Sequence, residues 1–378
     1  MTSRSLVPNL VVAQRVIDKM VAAAEHFIED ETGEAMVGLV LSGKSTSGVP
    51  TIYVLDTISP DETAIRRNHT FQQGDDLQDE IIHWLRKNWQ IQRKKRRGSY
   101  GKATQAKWDA PLNYLGDWHK QPGYMIAPSG GDLLTALDWL DDSENEMEAL
   151  LVPIVTLDHP PTTGVSTAIV NYITAPMGDG SLLRVDWWYI HRDTRMFQPI
   201  NPVIYPSDQL PGLTRYPWHL VDRERVETEF ANFNQHGIFS SILLKDIDGQ
   251  LPLEVCITAA RMGANRIFLI CTLWNYPQTP PIIRLAPFSP LGEKETIADV
   301  FDDWWEKSEP IKDPPGWQWS ADKTLLDYFL AVEESLGLRP AIPDAPIDKA
   351  AAPTENGDTG SSIPIRIQII KSEPNDED

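Results

Sequence analysis

Apolar residues recur at helical spacing near the N-terminus. Val12, Val16, Ile17, Met20, Val21, Ala24, Phe27 and Ile28 line one side of a helix that the pattern ends near His26. The period then shortens to that of extended chain. Strands are expected at about 35–41 and 51–56, separated by SGKSTSGVP, a segment of Gly, Ser and Pro that suits a turn. DLQDEIIHWLRKNW (76–89) predicts a second helix that runs into a basic, Gly-containing loop, and YLGDW (114–118) a short buried strand. DLLTALDWL (132–140) predicts a third helix, and ALLVPIVTL and SLLRVDWWYIH two further apolar strand regions. Together these elements describe a mixed α/β domain.

Pro202, Pro206, Pro211 and Pro217 then interrupt the chain, which marks 206–218 as a linker or extended domain edge. A second unit is expected over 219–338. It opens with a helix in VDRERVETEFANF, continues as strands around FSSILLKDI, LPLEVCITAA and NRIFLICTLW, and closes with a helix at about 320–337. Residues 339–378 are too poor in large apolar side chains to offset the entropy of ordering them, so this acidic tail is expected to be disordered. Within it Ile363, Ile365, Ile367 and Ile369 alternate with other residues. A short strand motif at 363–370 follows, either adding to a partner's sheet edge or lying on an edge of this chain.

Composition narrows the possible functions. The 34 basic against 54 acidic residues give a net charge of −20, which repels nucleic-acid phosphate and makes a nucleic-acid partner unexpected. The two cysteines, Cys256 and Cys271, stand in apolar runs and offer no disulfide framework, which suits a cytoplasmic location. No uninterrupted apolar run approaches the roughly 18 residues of a membrane span, so no membrane association is expected. GLVLSGKS (38–45) fits the letter pattern of a phosphate-binding loop, but apolar strand residues fill it and no helix is predicted after it, so nucleotide binding is not expected. Arg93, Lys94, Lys95, Arg96 and Arg97 form a basic block, by default a solvated loop, without the interleaved aromatics that base stacking needs.

The run that carries chemistry is GDWHKQPGYMIAPSGGD (116–132), in which His119, Gln121, Ser129 and Asp132 follow the spacing H-x-[H]-x7-S-x2-D. An isolated histidine is usually a satisfied core or surface group. Here Trp118, Pro122, Ser129, Asp132 and an upstream ETGEAMVG (31–38) agree jointly. In these residues the chain resembles the MPN/JAB (JAMM) metallopeptidases. The resemblance implies an MPN/JAB-like mixed sheet flanked by helices over 1–205, with Zn2+ held by His119, Gln121 and Asp132. It further implies Glu31 as general base and Ser129 as support for the oxyanion. Glu34 stands where the family prefers Gly and stays open as the base, although the spacing to Gly38 favours Glu31. Gln121 replaces the family's second histidine, and an amide oxygen is a poor zinc ligand beside imidazole, so zinc is expected to be held weakly or not at all.

In the second unit NRIFLICTLWNYPQTPPIIRL (265–285), with Trp317, Trp319 and the following helix, resembles the strand, YPxxPP turn and strand of ubiquitin-conjugating enzymes and their RWD relatives. Tyr276, Pro277, Pro280 and Pro281 carry that likeness and are the expected partner-binding residues. The resemblance implies an α+β domain without the catalytic cysteine, since no Cys follows position 271. The combined expectation is a JAMM-like zinc (iso)peptidase acting on a ubiquitin-like protein, within a prokaryotic ubiquitin-like conjugation system. Its partners would be that protein or its activating or conjugating enzymes. The alternative is a catalytically inactive scaffold that binds the same components.

Overall fold

The structure, a computed structural model, describes residues 7–46, 48–74, 76–99, 108–143, 145, 147–161, 170–247, 251–289 and 296–338. The chain divides into two compact units, Met1–Thr214 and Arg215–Asp378. The expected tail and its 363–370 motif lie outside the described residues.

The first unit begins with β1 (Asn9–Ala13), which the sequence pattern had absorbed into the first helix, and α1 (Gln14–His26). There follow β2 (Gly33–Leu41), β3 (Thr51–Ile58), a small hairpin of β4 (Ile65–Arg67) and β5 (Thr70–Gln72), and α2 (Leu77–Ser99). Next come β6 (Asn113–Lys120), α3 (Gly130–Asp141), β7 (Ala149–Leu151), β8 (Ile154–Leu157) and β9 (Tyr172–Pro176). The unit ends with β10 (Leu182–Asp186), β11 (Trp188–His191), β12 (Gln198–Pro199) and β13 (Pro202–Tyr205). Eight strands form one mixed sheet in the order β13-β1-β3-β2-β6-β8-β10-β9, and β12-β11-β7 form a second. Mixed α/β architecture is therefore observed.

Burial explains the sheet's centre. Every residue of β2 from Gly33 to Leu39 is buried, as a strand covered on both faces requires. Val16, Ile17, Met20 and Ala24 form the buried stripe of α1, the face the sequence period assigned to it. Trp84 and Trp118 are fully enclosed, and removing such large apolar surfaces from water is the main drive for assembling the layers. Gly116 adopts φ +117, and a Cβ there would stand 2.1 Å from the Leu151 carbonyl oxygen. Only glycine permits both, and the β2–β6 register shifts beside it, between Met36 and Val37.

The helix α2 departs from the expected basic loop. It continues through 93–97 to Ser99, because Gln, Arg and Lys are good helix formers that need no buried face. Arg93 is tied by its Nη2 to Asp109 at 2.9 Å. No helix among the described residues is long and apolar enough to cross a membrane.

The second unit starts with the short α4 (Trp218–Val221) and α5 (Arg223–Gln235). An antiparallel meander follows, β14 (Ile238–Lys245), β15 (Glu254–Arg261), β16 (Arg266–Thr272) and β17 (Ile282–Pro287), with β18 (Glu309–Pro310) at its edge. Two helices, α6 (Ile297–Lys307) and α7 (Leu325–Ser335), complete it. Side-chain alternation splits the core. Val255, Ile257, Phe268 and Ile270 join Phe233 and Phe329, while Cys256, Leu269 and Cys271 join Phe301 and Trp304 of α6. Sequence reading placed no element at α6, yet its aromatics are what close the second face of the meander. Both cysteines are free thiols, facing each other across β15 and β16.

Candidate active site

The site forms where β6 leaves the sheet and α3 begins. His119 lies opposite Gly33 of β2 and Ile154 of β8. A Cβ at position 33 would stand 2.3 Å from the Trp118 carbonyl oxygen and 3.1 Å from the His119 Cβ, so glycine is what lets β2 approach the histidine this closely. The next residues stay pinned: the Lys120 amide donates to the Thr32 carbonyl at 2.7 Å and the Gln121 amide to the Val155 carbonyl at 2.9 Å. Asp132 comes from the first turn of α3. Ser129 caps that helix, its Oγ accepting from the Asp132 amide at 3.2 Å while the Ser129 amide donates to Asp132 Oδ2 at 2.6 Å. The capping box thus orients the Asp132 carboxylate as well as starting the helix.

Three side chains meet here. His119 Nε2 is 3.6 Å from Asp132 Oδ1. Between them Gln121 Nε2 donates to His119 Nε2 at 2.9 Å and reaches Asp132 Oδ2 at 3.4 Å. An amide nitrogen can only donate, so His119 Nε2 carries the lone pair and the ring proton is assigned to Nδ1. Burial pushes the His119 pKa down, against the pull of Asp132, which favours the neutral ring.

Glu31 and Glu34 separate cleanly in space. The Glu31 carboxyl lies in the field of Asp132, with its pKa raised by burial and by that negative charge, and pulled back by His69 and Lys120. Glu34 lies next to Gly33 on β2 and turns the other way. It is buried, accepting from Thr57 Oγ1 at 2.8 Å and from Ser59 Oγ, while Trp118 Nε1 donates to Thr57 Oγ1 at 3.0 Å. Glu34 is therefore a core group bound to β3, whereas Glu31 shares the electrostatic surroundings of Asp132.

Two contributors escaped the sequence reading. His69 sits in the turn of the β4–β5 hairpin, two strands of only three residues with no alternation long enough to signal them. Lys120 was hidden inside the motif. Its ammonium donates to the carbonyls of Phe27 and Ile28, which ties β6 to the end of α1.

Whether the residues suit a divalent cation can be asked of the geometry. Among the described residues no three His, Cys, Asp or Glu side chains gather as a metal set. Two do, His119 and Asp132, with an amide between them. Gln121 Oε1 is buried and has no hydrogen-bond partner among the described residues. Such an orphaned acceptor costs about 1–3 kcal/mol, an unusual defect in a core and one that a cation could relieve. The donor set, one imidazole nitrogen, one carboxylate and one amide oxygen, fits a cation that also accepts oxygen ligands.

In the second unit, Tyr276 is buried at 3% exposure. Its hydroxyl donates to Glu229 and accepts from Arg225 Nη2 at 2.8 Å. Pro281 is also buried, Pro277 is half-buried and Pro280 is exposed. Of the four expected partner-binding residues, only Pro280 and part of Pro277 present a surface.

No family model matches this chain, and no curated protein matches it in sequence. Among solved structures, one similar chain is the solution structure of a protein from Desulfitobacterium hafniense. It is 13% identical, with a TM-score of 0.30, covering 52% of this chain and 93% of that one. Another is the crystal structure of a JAB1/MPN domain protein from Archaeoglobus fulgidus, 11% identical with a TM-score of 0.22, covering 52% of this chain and 98% of that one.

Proposed function

We propose that the first unit is an MPN/JAB-type hydrolase that cleaves a peptide or isopeptide bond at the C-terminal tail of a ubiquitin-like protein, in a prokaryotic ubiquitin-like conjugation system. The observation that carries this reading is the meeting of His119, Gln121 and Asp132, with Glu31 in the same electrostatic field and Ser129 at the cap.

A divalent cation, Zn2+ in the family, held by His119, Gln121 and Asp132 would supply Lewis acidity at this spot. The chain's own residues do the rest. Glu31, its pKa raised by burial, is a better proton acceptor than an ordinary surface carboxylate and takes a proton from the attacking water, passing it to the departing amine. Ser129 uses its oxygen to cap α3, which leaves its hydroxyl hydrogen to donate to the oxyanion that develops. The neutral His119 keeps its Nε2 lone pair directed at Asp132 and Gln121.

The second unit serves as a binding module for the ubiquitin-like protein or for its activating or conjugating enzymes. Pro277 and Pro280 would touch the partner, while Tyr276 holds the turn from inside.

A second reading, a catalytically inactive scaffold built from both units, is favoured by one observation: the Gln121 amide already bonds both His119 and Asp132. Cleavage of ubiquitin-like proteins carrying a C-terminal fluorogenic amide separates the two. The hydrolase reading expects turnover that is lost in Glu31→Ala. Turnover unchanged in that variant removes Glu31 as the base, and none in the unaltered chain leaves the scaffold.

A further inference from the structure

We propose that Gln121 is itself a cation ligand through Oε1, its amide reversing end for end when a divalent cation enters between His119 and Asp132. We further propose that the resulting set narrows the margin by which zinc is preferred over manganese. The inference rests on the cation site of the proposed hydrolase and assigns to the one departure from the motif a positive role.

The two ends of the amide meet different surroundings. Nε2 faces His119 Nε2 at 2.9 Å and Asp132 Oδ2 at 3.4 Å, both electron-rich atoms. With no cation present, the opposite orientation would set the amide oxygen against a carboxylate and an imidazole lone pair, so the donor end must point inward. A cation reverses each of these signs. It repels the N–H dipoles and attracts the oxygen, and the two ends are nearly isosteric, so the exchange needs no repacking.

Burial supplies the second observation. Gln121 is 6% exposed, and among the described residues its Oε1 has no partner in the inward-donor orientation. Reversal satisfies that atom.

Cation choice follows from the donor atoms. Replacing an imidazole by an amide oxygen gives one nitrogen and two oxygen donors. Oxygen donors suit manganese and magnesium, whereas imidazole suits zinc, copper and nickel. Zinc should still bind the more tightly of the two tested here, by a smaller ratio than in a two-histidine site.

Calorimetric titration of the full chain with Zn2+ and with Mn2+ tests this. Gln121→Leu and Gln121→Met keep the volume and remove both amide ends. If the oxygen is a ligand, each should weaken zinc binding by about tenfold or more, while Gln121→His should tighten zinc by more than it tightens manganese. Leu and Met variants that bind zinc as well as, or better than, the unaltered chain would overturn the proposal and make the amide a plug. Failure of the unaltered chain to bind either cation overturns it also. In that event, binding by Gln121→His retains the proposed site, and its absence there removes the hydrolase reading as well. Cation binding unaffected by His119→Ala would likewise place the cation elsewhere.

Discussion

Glu229 in the second unit and Gln121 in the first are both enclosed polar side chains, and they are treated in opposite ways. Glu229 is fully buried and every oxygen is used: Oε1 accepts from Tyr276 and from Arg225 Nε at 2.7 Å, and Oε2 accepts from the Leu325 amide at 2.8 Å. Arg225 goes on to the carbonyls of Ala321 and Lys323. Gln121 has one end shared between two electron-rich groups and the other end unbonded among the described residues. A completed network fixes architecture, here the YPxxPP turn against α5 and the start of α7. An incomplete one leaves a buried acceptor that a ligand could satisfy.

The largest effect should come from breaking the complete network. Glu229→Leu leaves Arg225 and Tyr276 without their shared acceptor, and should cost the second unit about 3–5 kcal/mol in urea unfolding. A loss below about 1 kcal/mol would mean that satisfaction is not what distinguishes the two regions. At the incomplete site the order is reversed. Glu31→Ala should leave unfolding unchanged and reduce cleavage of a ubiquitin-like fluorogenic amide by about 100-fold or more. A stability loss comparable with that of Glu229→Leu would make Glu31 an architectural residue.

Ser129 lies between these extremes, because it caps α3 and is the proposed donor to the oxyanion. Ser129→Ala should cost about 0.5–2 kcal/mol as a lost N-cap and also slow cleavage, whereas Ser129→Asp should restore the cap without restoring the rate. Recovery of both by Asp would reduce Ser129 to a helix signal.

The smallest effect sharpens the distinction between the two glutamates. Burial raises the Glu34 pKa above its ordinary 4.5 despite its bonds to Ser59 and Thr57. The fold therefore favours its protonated form. That contribution is complete below about pH 4.5 and is lost as the pH rises through the higher folded value. The unfolding free energy of the first unit should fall more steeply with rising pH in the unaltered chain than in Glu34→Gln. Equal slopes would contradict the burial of an ionisable group at this position.

Much of this could be read before any coordinates. The motif at 116–132 brought His119, Gln121, Ser129 and Asp132 to notice because their spacing survives as local structure: a strand end, a loop and a capped helix start. The stripe of α1 and the strands β2 and β3 followed from period alone. What could not be read depends on the third dimension. The β4–β5 hairpin that brings His69 toward Glu31 is too short to show a pattern, and α2 runs past Trp89 on residues that carry no apolar face. Helix α6 has a strong capping box at Thr296 and Asp299, a signal that was present and went unused. That Glu34 on β2 is bonded to Thr57 and Ser59 in the core could not be read from a position three residues after Glu31. Nor could sequence show that Tyr276 is enclosed while Pro280 is not.

The proposed hydrolase requires His119 and Asp132, with Gln121, to hold a divalent cation. Purified protein dialysed to equilibrium against zinc should hold about one zinc per chain above the free concentration by elemental mass spectrometry, and His119→Ala and Asp132→Ala should hold none. An unaltered chain without zinc, or variants that retain the full amount, would contradict the account.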